Sequence, residues 1–558
     1  MSATQTMADR PVGLSFSRAS DAVFALLIVV CAAGAFVALD AGGLWKDELF
    51  TAYFADTALT DPRAVLARTM EDVHPPLYYL LAWAVASALG ADVADVIRPL
   101  SAVLCCLALA ALYHALPRGT DRHARLFACA LAATSFAFFQ YAQEGRSYAL
   151  MFVIVIAQCG VALRLLEDVR SNAGRPAPGP TLAFAALGIV AGLTHYYAVP
   201  LTGGLVGGLI LVSRRWTERL VLAAVGLAIL GAVVAYIAVH SDRMLVDKQA
   251  TWFSADPGFL WSMTVRGVRN MVGGTLNAVA ILLLLGVLGL ALRRRRPDGP
   301  RRGTPRWSRF ALLGFAAAFT VASSIAITIL YAPSYSERVW VMLTPLAWIT
   351  AGLAWQIVTE RLPDGEETPL KAAVVVAMAL CAGSVALRPA PDKETWLASS
   401  LYVAEQRACV GKTIPVVIRE DIIGGDTARV FYGRQLPAGF DVDLRAVLAS
   451  RVNADLAEGQ LMNLTAQRLA GTDDCPVIAW TAGAGRDALE ALAARLAALS
   501  DGMGRTAVIR RFSHPPVDPT GFLVPHLGSG LAYVLVAEDA PIRDRGVRSP
   551  KRRPGRGG

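Results

Sequence analysis

Apolar positions along this chain gather into long unbroken runs, not into the short periodic stripes of soluble helices. Runs of roughly 18–20 apolar residues recur between clusters of arginine, and a run of that length reads as a helix that crosses a membrane. Spans are expected at 22–40, 97–116, 125–142, 147–166, 181–196, 198–213, 220–240, 272–292, 310–331, 339–358 and 371–388. That is about eleven transmembrane helices. The first run follows a polar start carrying Arg10 and Arg18 and has acids close behind it, which favours a retained span over a cleaved signal. Between the first two spans lies a long segment, 41–96, ending in a shorter apolar stretch, Leu77–Leu89. Beyond residue 389 the pattern changes. Thr413–Ile418, Pro476–Trp480, Ala507–Arg511 and Leu531–Ala537 read as strands, and Asp487–Leu499 as an amphipathic helix. The expected fold class is an α-helical polytopic membrane protein with a small C-terminal α/β soluble domain. Residues 1–388 form the membrane domain with 41–96 as its first outer loop, 389–542 the α/β domain, and 543–558 a basic disordered tail.

Composition agrees with lipid as the solvent. Of 558 residues, 55% are hydrophobic and 17% charged, against about 25% charged in a soluble domain. The net charge of +9 does not point to nucleic acid, because the arginines sit in short loops and report topology instead. If Leu77–Leu89 lies along the outer surface without crossing, four basic loops share one side: Arg118/Arg122/Arg125, Arg164/Arg170/Arg175, Arg214/Arg215/Arg219, and the eight arginines from Arg293 to Arg309. The positive-inside rule selects that arrangement. It places the N-terminus in the cytoplasm and leaves 41–96, Gln143–Arg146, 241–271, 332–338 and everything after 389 outside. The basic tail from Arg543 to Arg556 runs against this trend. Of eight cysteines, Cys409 and Cys475 alone lie in the polar region. They are either a disulfide, which would put that domain outside the cytosol, or two buried thiols.

Charge at a membrane boundary is costly and calls for a reason. The first outer segment opens with Trp45-Lys46-Asp47-Glu48. Trp45 fits an interfacial aromatic belt, while a carboxylate here can take the proton of an attacking hydroxyl. Asp72-Val73-His74-Pro75-Pro76-Leu77-Tyr78-Tyr79 holds two prolines that start the next helix and set His74 at its mouth. Gln143-Glu144-Gly145-Arg146-Ser147-Tyr148 pairs an acid with a guanidinium suited to phosphate oxygens. Thr194-His195-Tyr196-Tyr197 and Tyr335-Ser336-Glu337-Arg338 close two more outer junctions. Each alone has a plain structural reading: a helix start, a local ion pair, an aromatic belt, a snorkelling anchor. All five fall on one side under a topology chosen from arginines alone.

In that order, WKDE at 45–48, HPPLYYLL at 74–81, QEGRSYAL at 143–150, THYY at 194–197 and SERVW at 336–340 resemble the GT-C superfamily of lipid-dependent glycosyltransferases. The likeness covers roughly 20–360. It is to the bacterial branch related to protein O-mannosyltransferases, lipid A aminoarabinose transferases and rhizobial galacturonosyltransferases. The resemblance implies an integral membrane glycosyltransferase that takes a sugar from a polyprenyl-phosphate donor. The acceptor would be an envelope glycan, lipid or protein on the periplasmic face of a bacterial inner membrane, with the site and the α/β domain periplasmic. Asp47 is then the expected base of an inverting displacement, with Glu48 as its helper and Glu144 as the second-loop acid. Glu144 departs from relatives that carry Asp there. Arg146 and Arg338 are the expected donor-phosphate ligands, with His74, His195 and Tyr196 beside them. No Cys/His spacing suggests a metal cage. Metal independence is expected, with Mg²⁺ or Mn²⁺ the alternative that an acid pair would hold. The competing classes are a transporter or lipid flippase, which calls for ionisable groups deep inside helices, and an inactive GT-C-like scaffold.

Overall fold

The computed structural model describes residues 16–37, 39, 44–70, 72, 74–170, 177–246, 254–273, 275–293, 305–362, 368–386, 396–417, 436, 439–445, 454–482, 494–495, 498, 505–512 and 532–539. Two compact units divide the chain. The basic tail at 543–558, and all but three residues of the helix expected at Asp487–Leu499, lie outside the described residues.

The first unit is helical. Among the described residues, seven of its helices are long and apolar enough to cross a membrane: α1 (Phe16–Gly34), α5 (Val93–Ala115), α8 (Tyr148–Arg170), α11 (Trp216–Val246), α13 (Thr275–Arg293), α14 (Pro305–Leu330) and α15 (Arg338–Arg361). The chain is a multi-pass membrane protein. Shorter apolar helices add α4 (Leu77–Leu89), α9 (Pro178–Thr194), α10 (Ala198–Val212) and α16 (Thr368–Ala386). Burial sorts them. The spans of α8 and α15 are 78% and 83% buried, and those of α1, α11 and α13 only 22%, 17% and 22%, so α8 and α15 form the centre. Helix α4 has 13 residues, about 20 Å of rise, too short for a hydrocarbon core of about 30 Å. It ends at Gly90, whose φ of +62° suits glycine alone.

The elements depart from expectation in several places. The first span stops at Gly34, before residue 40. The run at 125–142 is two helices, α6 (Arg122–Ala133) and α7 (Phe136–Ala142). Ser135 breaks it by turning its hydroxyl on the backbone: Oγ accepts from Phe138 N at 3.2 Å and donates to Ala132 O at 2.7 Å. The outer stretches also carry helices of their own: α2 (Lys46–Phe54), α3 (Pro62–Thr69) and α12 (Pro257–Val272). Asp61 and Asp256 cap α3 and α12 through their side chains.

The second unit is a five-stranded mixed sheet in the order β2-β1-β3-β5-β4, from β1 (Thr413–Val417), β2 (Asp441–Arg445), β3 (Val477–Ala482), β4 (Arg505–Phe512) and β5 (Ala532–Asp539). Strand β1 pairs parallel with β2 and β3, while β5 pairs antiparallel with β3 and β4. Helices α17 (Trp396–Glu405) and α18 (Ala454–Leu469) accompany it, and Leu461, Leu469, Ile478, Ala479, Leu535 and Ala537 form its core. Cys409 and Cys475 form a disulfide. Strand β2 and helix α18 escape the sequence pattern. DVDLR has only two apolar positions, and α18 carries Gly, Asn and several polar residues through its length.

Candidate active site

Five stretches distant in sequence meet in the first unit. Helix α2 brings Asp47 and Glu48 in its first turn, where the helix dipole favours acids. The turn before α4 brings Asp72 and His74, the loop between α7 and α8 brings Glu144 to Arg146, the α9–α10 junction brings His195, and the start of α15 brings Arg338.

Arg338 Nη2 donates to Asp47 Oδ2 at 2.8 Å. Arg146 Nη1 donates to the Asp47 carbonyl at 3.0 Å and lies 3.4 Å from the hydroxyls of Thr51 and Tyr79. Arg146 Nη2 is 3.3 Å from His74 Nε2. His74 Nδ1 faces both oxygens of Asp72 at 3.2 Å, and the Tyr79 hydroxyl donates to the same carboxylate. The two guanidiniums therefore meet at one residue, Arg338 on the Asp47 carboxylate and Arg146 on its backbone carbonyl. Burial works against the Arg146 charge, but the Tyr79 hydroxyl and the acids Asp47 and Asp72 hold it above the usual arginine range. It is a permanent cation at a buried position.

Glu48 sits differently. It is fully buried, and Arg98 of α5 grips it with Nε at 2.9 Å and Nη2 at 2.6 Å. The same carboxylate accepts from the Gly145 amide at 2.7 Å, and Arg98 Nη1 donates to Leu39 O at 2.7 Å. A Cβ on Gly145 would fall 2.5 Å from Ile97 Cγ1, so glycine is what lets this loop approach. The Glu48–Arg98 pair thus ties α2, α5 and the 143–147 loop together. Glu144 is 3% exposed and lies within electrostatic reach of Arg338.

His195 is buried against His74, Tyr148 and Tyr197, with ring centroids 5.9, 5.7 and 4.9 Å away. Its Nδ1 accepts the Tyr197 amide at 3.2 Å, which leaves the proton on Nε2. That Nε2, the hydroxyls of Tyr148 and Tyr196, and Arg146 Nε are buried without a partner among the described residues. Buried polar atoms are rarely left so. Polar groups waiting in a cluster are what a polar ligand would satisfy.

The site brings together Asp47, Glu48, Glu144, Arg146, Arg338, His74 and His195. Tyr196 adjoins His195 in the chain and lies within electrostatic reach of Tyr236 and Asp72. Asp72, Tyr79 and Tyr148 belong to the motifs but carry no role in the sequence reading. Arg98 was missed altogether. Its signal was a lone arginine beside Pro99 inside an apolar helix, a charge that lipid would not tolerate unpaired. Among the described residues, no three His, Cys, Asp or Glu side chains cluster as a metal site requires.

No protein-family model matches the chain, and no characterised protein matches it by sequence. Among solved structures it is similar to ArnT from Cupriavidus metallidurans in the apo state, with TM-score 0.50 and 15% identity over 93% of this chain and 98% of that one. It also aligns with the same protein bound to undecaprenyl phosphate, at TM-score 0.45 and 14% identity over 92% and 97%. The oligosaccharyltransferase of Archaeoglobus fulgidus, complexed with Zn and sulfate, aligns at TM-score 0.44 and 11% identity over 91% and 74%. The first of these shows that the chain shares the fold of that structure.

Proposed function

We propose that this chain is an integral membrane glycosyltransferase that moves a sugar from a polyprenyl-phosphate donor to an envelope glycan, lipid or protein. The observation that carries the reading is Asp47 held by two guanidiniums, the half-buried Arg338 on its carboxylate and the buried Arg146 on its backbone carbonyl. The reaction needs a base for an acceptor hydroxyl and fixed positive charge for a departing phosphate, and this cluster holds both.

Asp47 takes the proton of the acceptor hydroxyl as its oxygen bonds to the anomeric carbon. The bond from that carbon to the phosphate oxygen breaks, and the electron pair leaves with the polyprenyl phosphate. Arg146 and Arg338 stabilise the charge that develops there. A single displacement inverts the anomeric carbon. Glu48 is consumed by Arg98 and the Gly145 amide and serves as the strut that sets Asp47 and Arg146, its neighbours on either side of that contact.

The test is transfer of label from radiolabelled polyprenyl-phosphate sugars to total membrane acceptors, by purified wild type and Asp47→Asn. The variant is expected to lose about 10²–10⁴-fold in rate while still binding donor. Equal rates would remove Asp47 as the base, and no transfer from a full panel of donors would overturn the reading.

A further inference from the structure

Helix α12 has three faces that differ in kind. At about 100° of turn per residue, Leu260, Met263 and Gly267 form one strip, and it is buried. Trp261, Val265, Val268 and Val272 form a second, wholly apolar strip. Trp261 is 69% exposed and Val265 47%, while Val268 and Val272 are half-buried. Ser262, Arg266 and Arg269 form the third, and all of them are exposed. The strips stand roughly a third of a turn apart. Neither guanidinium meets an acid or a hydrogen-bond acceptor among the described residues.

Each strip calls for a different neighbour. The buried one packs with Tyr335 and Val339 at the start of α15. A single exposed tryptophan needs no explanation, but a continuous apolar strip beside an arginine strip does. Water suits the arginines and not the valines. A protein core suits the valines and not unpaired arginines. The boundary of a bilayer suits both, with the apolar strip among the upper acyl chains, Trp261 at the interface and the guanidiniums at the phosphates. The chain holds α12 at such a boundary. Its 16 residues rise about 24 Å, short of a hydrocarbon core of about 30 Å. Gly273, at φ +79°, ends the helix, and the span α13 begins at Thr275.

We propose that α12 lies in the membrane interface and that Arg266 and Arg269 hold the phosphate of an anionic phospholipid from the surrounding leaflet. The two arginines stand one turn apart on the same face, and a guanidinium grips phosphate oxygens through paired N–H donors. A phosphatidylglycerol headgroup leaves its negative charge for them, whereas the choline of a zwitterionic lipid offsets its own phosphate. The proposal does not rest on the donor reading. It does set the depth of that site. A helix lying at the headgroups and packed on the start of α15, with Thr264 Oγ1 2.9 Å from the Tyr335 hydroxyl, fixes Arg338 at the level where lipid phosphates lie.

Fluorescence quenching tests this on the full-length protein in phosphatidylcholine nanodiscs, with Val265→Cys carrying an environment-sensitive fluorophore. The quenchers are aqueous iodide and two lipids bearing a nitroxide high on the acyl chain, one with a phosphatidylglycerol headgroup and one with phosphatidylcholine. Both lipids are expected to quench and iodide to fail. The phosphatidylglycerol form should reach the same quenching at a lower mole fraction, by about fivefold for each arginine engaged, and added salt should shrink that preference. Combining Arg266→Gln with Arg269→Gln should abolish the preference and leave the fluorophore in lipid. Both side chains are exposed, so the pair is a surface change that the fold tolerates. Quenching by iodide alone would put the strip in water and overturn the interfacial helix. Equal quenching by the two headgroups, or a preference that survives in the double variant, would overturn the anionic-lipid site.

Discussion

Asp47 and Glu48 are adjacent in sequence and opposite in circumstance. The family resemblance ranks Asp47 as base and Glu48 as helper, but the two acids by themselves give no physical ground for that order. The physical ground comes from Arg98, fifty residues along, whose fork closes on Glu48 and leaves Asp47 facing Arg338. It also explains why the local reading was incomplete. A charge inside α5 looks anomalous until its partner on α2 is known. Removing one member of a buried pair strands the other, at a cost of about 3–5 kcal/mol. Arg98→Ala should therefore lower the unfolding temperature of the detergent-solubilised protein sharply. Asp47→Asn should lose activity with a far smaller shift. An Arg98→Ala protein that melts with wild type would show that the Glu48 carboxylate finds its compensation elsewhere.

Elements were legible where their signal was run length, and illegible where it was periodicity or a single polar atom. The long spans follow from unbroken apolar runs. Ser135 divides one of those runs with a hydroxyl, which hydropathy does not register. Helix α12 lies in a stretch read as an outer loop, because its buried positions, Leu260, Met263 and Gly267, are spaced along one face. That helix matters to the site through α15. A Cβ on Gly267 would sit 2.0 Å from Trp340 Cδ1, and Thr264 meets the Tyr335 hydroxyl at 2.9 Å. Tyr335 and Trp340 bracket Arg338, the first residue of α15. Gly267→Val should push α12 away from α15 and disturb Arg338, overpacking by about 1–3 kcal/mol. The expected kinetic signature is a rise in apparent KM for the donor that exceeds the fall in kcat. A fall in kcat alone would separate α12 from donor binding.

At the scale of the molecule, what the sequence carried was sidedness, and what it withheld was distance. Arginine placement assigned the five motif segments to one face, and all five then converge around Asp47, His74, Arg146, His195 and Arg338. No count along the chain could have shown that Arg338 reaches Asp47, 291 positions away. The compartment of each unit is testable on its own. The Cys409–Cys475 disulfide belongs in an oxidising compartment, and its removal should cost the second unit about 2–5 kcal/mol. For the first unit, Arg63 in α3 and Arg118 in the α5–α6 loop are both exposed, and the arginine argument puts them on opposite sides. The described free cysteines lie in apolar helices, five of them buried, so they give a quiet background for labelling. A membrane-impermeant maleimide applied to intact spheroplasts should label Arg63→Cys at once and Arg118→Cys only after permeabilisation. The reverse pattern would turn the protein over and place Asp47 in the cytoplasm. The acceptor would then have to be a cytoplasmic molecule, and an envelope acceptor would be ruled out.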